Sequence, residues 1–169
     1  SFLQLSKTSD KLIVINSASK SFNMTGWRIG WITHPEELGA HIAKLVQITT
    51  TGVPEFLQNG LISALQNYKV LTQEVRINLK KSRDLMFRRL VEWKRVECSV
   101  PEAAFYAFFK VKDVRDSLEF AKKLIIDTNV GVAPGIAFGE SGEGHLRICF
   151  AAQQSFINEI MDRLEPALN

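Results

Sequence analysis

Histidine and cysteine are scarce, three and two in 169 residues. His34, His41 and His145 are scattered, so no metal-ligand spacing appears and no metal site is expected. Cys98 and Cys149 lie far apart with no C-x-x-C pair. They read as two buried thiols of a cytoplasmic protein. A charge excess is missing as well. The chain has 21 Lys and Arg against 18 Asp and Glu, a net +3, which gives no case for a nucleic-acid or membrane partner. No apolar run approaches the ~20 residues of a membrane span, and no signal-peptide pattern opens the sequence. There is no Walker sequence, internal repeat or low-complexity segment. Gly142-x-Gly144 lacks the strand and full fingerprint of a dinucleotide site. Gly139-Glu140-Ser141-Gly142 lacks the G-x-S-x-G spacing of a hydrolase elbow.

What is present is the material of a packed domain, 46% hydrophobic, long enough for one medium domain or parts of two. Residues 1–11 are polar and irregular, with room for a short helix. Residues 12–15 are a continuous apolar run, the pattern of a strand buried on both faces in a parallel sheet. A second short strand is read at 28–32. Pro35, Glu36 and Glu37 suit the first turn of a helix, with Leu38, Ile42, Leu45, Val46 and Thr49 as its stripe. Another helix starts near Glu55, with Leu57, Leu61, Ala64 and Leu65 on one face. Gly60 inside it signals a close helix contact. The longest helical pattern covers about 72–94. Val75, Leu79, Ser82, Met86, Leu90 and Trp93 form its stripe. Arg76, Lys80, Lys81, Arg83, Arg88 and Arg89 on the other side read as a solvated face. Strands are then expected at 96–100, 105–111, 130–133 and 145–151. The last has Leu146, Ile148 and Phe150 on one face and His145, Arg147 and Cys149 on the other. A helix capped by Asp116 or Ser117, with Glu119 completing a capping box, lies between them. A final helix buries Phe156 or Ile157, Ile160, Met161 and Leu164.

The chemistry concentrates at residues 17–30, Ser17-Ala18-Ser19-Lys20-Ser21-Phe22-Asn23-Met24-Thr25-Gly26-Trp27-Arg28-Ile29-Gly30. Lys20 follows a strand end, where open α/β sheets place ligands. A lysine amine captures carbonyls once its charged form is disfavoured. A guanidinium donates two parallel hydrogen bonds to a phosphate, and the hydroxyls of Ser17 and Ser19 add donors. Gly26 and Gly30 allow tight turns or close backbone approach. A lone lysine and a lone arginine are most often just solvated; the whole stretch is far more specific. It resembles the cofactor-lysine segment of fold-type I pyridoxal-phosphate enzymes, in particular the class I/II, aspartate aminotransferase-like family. There the lysine of S-x-S-K-x-F/Y forms a Schiff base with the cofactor aldehyde. The arginine of G-x-R-x-G holds the cofactor phosphate. The resemblance thus implies a catalytic Lys20, with Ser17, Ser19, Lys20 and Arg28 binding pyridoxal 5'-phosphate.

A second resemblance lies at residues 133–139 and 142–151, Ala-Pro-Gly-Ile-Ala-Phe-Gly and Gly-Glu-Gly-His-Leu-Arg-Ile-Cys-Phe-Ala. In the family the arginine of G-x-x-R-x-x-F/Y-A binds the substrate α-carboxylate. That role falls on Arg147, with Phe138 on the pocket wall. A bidentate guanidinium–carboxylate pair fixes position and orientation together. Pro101-Glu102-Ala103-Ala104-Phe105-Tyr106 departs from the family's P-x-G-A-F-Y, with Ala103 in place of glycine, which puts a positive φ there in doubt. Dicarboxylate-specific relatives carry an arginine at an offset that lands on Pro54 here, so aspartate specificity through that residue is unsupported.

The fold class is read as α/β. The resemblance implies residues 1–71 as the end of a large cofactor domain with a mainly parallel sheet. Residues 72–169 would be a small α+β C-terminal domain beginning with the long linking helix. The implied protein is a longer, cytoplasmic, homodimeric amino-acid aminotransferase, moving an amino group from an amino acid to a 2-oxo acid, with this segment inactive alone. A pyridoxal-phosphate lyase of the carbon–sulfur type is a second reading. The aminotransferase-like effector domain of a transcription regulator is a third.

Overall fold

The computed structural model describes residues 2–5, 7 and 10–169. The chain divides into two compact units, Ser1–Val75 and Arg76–Asn169. Of the irregular opening segment, Phe2–Gln4 forms a 3-10 turn, while Ser1, Ser6, Thr8 and Ser9 lie outside the described residues.

In the first unit, β1 (Val14–Ser17) pairs with β2 (Gly30–Thr33). The pairing is antiparallel, with Val14 opposite Thr33 and Ser17 opposite Gly30. The expected parallel arrangement is therefore not what these strands make. Parallel neighbours need a crossover that carries the chain back along the strand, usually a full helix. Here the link holds one helical turn, α1 (Ala18–Ser21), and a 3-10 turn, Thr25–Trp27, and the chain comes straight back. The strand also starts two residues later than expected. It alternates instead of being buried on both faces, and Ile15 is 76% exposed.

Pro35 leads into a 3-10 turn at Glu36–Leu38, then α2 (Gly39–Thr49). The apolar stripe of α2 is largely open, with Leu45 60% and Val46 37% exposed. A break at 50–54 precedes α3 (Glu55–Gln66), which buries Leu61 and Ala64. Asn67 closes α3, and its carbonyl accepts from Leu71 N–H in α4 (Tyr68–Leu90). This explains why the long helix begins four residues before its expected start at 72.

The second unit is a four-stranded antiparallel sheet with helices against it. In chain order it holds β3 (Val96–Glu97), β4 (Tyr106–Val111), α5 (Ser117–Thr128), β5 (Ala133–Pro134), β6 (His145–Cys149) and α6 (Gln154–Leu168). The spatial order is β3-β4-β6-β5. Edge strands β3 and β5 are only two residues long, shorter than the runs expected at 96–100 and 130–133. Short edges leave little unpaired backbone to recruit another chain. Ala107, Phe109 and Val111 from β4 join Leu146 and Ile148 from β6, Met86, Phe87 and Leu90 from α4, and Ile157, Met161, Leu164 and Leu168 from α6 in one buried cluster. The three-and-four spacing of the helix residues is what presents them on one face. Phe156 is exposed, so the choice at the start of α6 goes to Ile157.

Asp116 caps α5, accepting from Glu119 N–H at 2.9 Å. The basic side of α4 is not uniformly solvated. Arg83 bonds Asp84 and the Pro101 carbonyl. Arg89 pairs with Asp162 and Glu165 of α6. Burial pulls the Arg89 pKa down, but the two carboxylates more than offset this and raise it. Both cysteines are free. They are not the two buried thiols expected: Cys98 is half-buried, and Cys149 is exposed because it falls on the outward face of β6. Burial raises the Cys98 pKa. No helix among the described residues is long and apolar enough to cross a membrane.

Candidate active site

The loop between β1 and β2 is built from a few buried anchors. Ala18, Met24 and Ile29 are buried together with Leu61 and Ala64 of α3. Ala18 N–H donates to the Ile29 carbonyl at 3.1 Å, so the loop is tied at its base, just above the Ser17–Gly30 pair. Lys20 lies two residues inside one anchor and Arg28 one residue inside the other. Both are exposed. The tie therefore brings the ends carrying the amine and the guanidinium to the same end of the strand pair.

Three local features support this. Ser17 caps α1, its Oγ accepting from Ser19 N–H at 3.2 Å, which sets the single turn that carries Lys20. Gly30 is required by strand proximity: a Cβ there would sit 2.3 Å from the Asn16 carbonyl oxygen. Gly60 has a different role from the expected helix contact. A Cβ on it would meet the Trp27 indole at 2.3 Å, so α3 makes room for the residue preceding Arg28. Arg28 itself is left-handed, φ 51 and ψ 42, a conformation costing a non-glycine residue about 1–2 kcal/mol. Its guanidinium donates one bond, to the Thr25 carbonyl at 3.1 Å, and keeps most of its five donors for other partners. One amine, one guanidinium and two serine hydroxyls on one loop suit an aldehyde that also carries a phosphate, so the donor set fits pyridoxal phosphate.

The second unit places Arg147 centrally in the sheet, on β6 between Phe108 of β4 and Ala133 of β5. Its guanidinium lies over the Tyr106 ring at 4.4 Å and the Phe138 ring at 4.3 Å. Both rings thus lie within cation–π range of the guanidinium. No carboxylate among the described residues pairs with it. Phe108 stacks on His145 at 5.0 Å and meets Phe138 edge-on at 5.9 Å. Phe138, expected on the pocket wall, stands beside Arg147. Tyr106 is a clamp partner that sequence reasoning missed. Its only signal was a place in the Phe105-Tyr106 pair, two residues before Phe108 on the same strand face.

Phe138 ends a 3-10 turn, Gly135–Phe138, in a loop fastened to the N-terminus of α5. Ile136 N–H donates to Oγ of the fully buried Ser117 at 3.2 Å. The Glu143 carboxylate accepts from Ser117 N–H at 2.6 Å and Gly144 N–H at 2.9 Å. The backbone bond from Gly144 leads, and the side-chain and backbone bonds of Ser117 add to it, in holding the Glu143 pKa below the usual carboxylate value. Gly135 and Gly142 touch through their backbones, since a Cβ on Gly135 would lie 1.9 Å from the Gly142 carbonyl oxygen. Near the rim, the positive φ belongs to Ala104, at 65°, and not to Ala103.

A family model described as "Aminotransferase class I and II" matches residues 2–164. Aromatic-amino-acid aminotransferase 2 of Thermococcus litoralis is 34% identical over 162 residues, 94% of this chain and 41% of that protein. LL-diaminopimelate aminotransferase of Maridesulfovibrio salexigens is 34% identical over 164 residues, 97% of this chain and 42% of that protein. Among solved structures, aspartate aminotransferase from Thermotoga maritima superposes with a TM-score of 0.86 at 31% identity, covering 99% of this chain and 42% of its own. The chain thus spans about two fifths of the length of these relatives.

Proposed function

The chain belongs to the class I and II aminotransferases, a pyridoxal-phosphate-dependent transferase family, and from that premise we propose that it serves an amino-acid aminotransferase acting on an amino acid and a 2-oxo acid. The observation that carries the reading is the loop tied at its base by Ala18 and Ile29, along which Ser17, Ser19, Lys20 and Arg28 lie. When bound, pyridoxal phosphate supplies an electron sink for a carbanion at the substrate α-carbon. Lys20 would hold the cofactor aldehyde. Once released by substrate, its amine would move a proton at the α-carbon. Arg28 and the serine hydroxyls would hold the phosphate. Arg147, with the Tyr106 and Phe138 rings against its guanidinium, would orient the substrate through its α-carboxylate.

The relatives are named for aromatic, LL-diaminopimelate and aspartate substrates. Pro54, the position where an arginine would support a dicarboxylate, is the N-cap residue just before α3 instead. The activity is assigned to the longer protein, expected to be a cytoplasmic homodimer, and the chain alone is expected to be inactive. The relatives, all named as aminotransferases, favour transamination over the lyase and regulator readings.

The test is Arg147→Ala in the full-length enzyme. It should lose most kcat/KM toward an α-amino acid while keeping cofactor absorbance, and should spare amines that lack the carboxylate. Equal loss for both substrate types would assign Arg147 a structural role.

A further inference from the structure

The two rings on Arg147 are held very differently. Tyr106 is locked into the sheet by its pairing with Cys149. Phe138 is 47% exposed and sits on an irregular loop, where packing alone leaves a side chain mobile. Beside the Gly135–Gly142 packing and the Phe108 ring, polar bonds fasten that loop. Ser117 is fully buried, and its Oγ accepts from Ile136 N–H, two residues before Phe138. Glu143 gathers Ser117 N–H and Gly144 N–H on its carboxylate, which closes the loop just ahead of β6.

From these bonds we infer that Ser117 and Glu143 are positioning residues for Arg147. They join the first turn of α5 to both ends of the Phe138 loop, and so hold the second ring against the guanidinium. With the ring held, the Arg147 plane is set before a carboxylate arrives, and less order has to be created on binding. Neither residue touches the anion. The functional part of this inference rests on the reading of Arg147 as the carboxylate ligand.

A guanidinium lying over aromatic faces has its Nε–H resonance moved upfield by ring currents. The readout is that proton in the full chain by NMR, with no ligand or cofactor needed. Ser117→Ala removes the acceptor for Ile136, and Glu143→Ala removes the carboxylate. Both should return the Arg147 resonance toward its open-chain position while the β4 and β6 amides keep their dispersion. Glu143→Gln keeps one oxygen acceptor and should retain most of the shift. If the resonance stays upfield in both alanine variants, the inference is overturned. Loss of dispersion across the sheet in both would also overturn it, by showing a role in folding instead.

In the full-length enzyme, Glu143→Ala should raise KM for an α-amino acid about tenfold with kcat little changed, less than the ~100-fold that misplacing a reacting group by about 1 Å can cost. An unchanged KM beside a large Arg147→Ala effect removes the positioning role alone. If the NMR shift responds but Arg147→Ala leaves KM untouched, the positioning stands and the carboxylate role falls.

Discussion

The two units use their apolar residues in opposite ways. Arg76–Asn169 buries a continuous core, including the fully enclosed Phe109, Phe150, Leu90 and Met161. In Ser1–Val75 the buried cluster of the described residues is Ala18, Met24, Ile29, Leu61 and Ala64, two of them alanines with little surface to hide. Larger residues of this unit, Ile15, Leu45, Ile48 and Phe56, are exposed. At ~25 cal/mol per Å² of buried apolar surface, the second unit has ample material to order itself and the first has little. The difference matters for function. The loop proposed to hold the cofactor is built on the weakly cored unit, and the arginine proposed to read a carboxylate on the well-cored one.

The largest expected effect tests that contrast. Phe109→Ala should cost the second unit about 3–5 kcal/mol, while Ile15→Ala should change stability by less than about 0.5 kcal/mol. Urea denaturation checks both, and equal losses would erase the distinction. Hydrogen exchange should agree, with β4 and β6 amides outlasting those of β1 and β2.

Next is Arg28→Gly in the full-length protein. Glycine relieves the left-handed backbone, so any loss reports the guanidinium. Cofactor affinity should fall by about 1.5–3 kcal/mol, as for a hydrogen bond to a charged group, with thermal stability held or slightly raised. Retained affinity in a titration would remove the phosphate role. Gly60→Ala comes third. The new methyl meets the Trp27 ring, and overpacking of this kind costs about 1–3 kcal/mol. A shift of Trp27 fluorescence should accompany weaker cofactor binding, because Arg28 is the next residue.

The smallest effect is a pH dependence. The Glu143 carboxyl is depressed in the folded chain by bonds from Gly144 and Ser117. A depressed acid contributes stability above its unfolded pKa and loses it as pH falls through the folded value. Glu143→Gln should therefore flatten the acid limb of a stability-versus-pH curve and leave the neutral-to-alkaline part of the curve parallel to that of the parent.

Much of the second unit was legible from periodicity. The stripe Ser82, Met86, Leu90, the alternation of Leu146 and Ile148 with Arg147, and the Asp116 cap all follow from spacing of 3.6 or 2. Short edge strands were not, because two-residue pairing depends on neighbours far along the chain. In the first unit, the run at 12–15 suggested full burial, yet the strand pairs antiparallel with β2 and leaves Ile15 exposed. Lys20, Arg28 and Arg147 are candidates that pattern alone singles out. Pattern does not reach their supports: a ring against Gly60, a second ring on Arg147, and Ser117 bonding residues 19 and 26 positions away. These are tertiary relations that no local signal carries.

The most direct test of a cofactor-bearing Lys20 is borohydride reduction of the full-length protein with pyridoxal phosphate, followed by peptide mapping. The pyridoxyl group is expected on Lys20, and on no lysine when Lys20→Ala is treated alike. A label on Lys7 or Lys11, or an undiminished label in Lys20→Ala, would contradict the assignment.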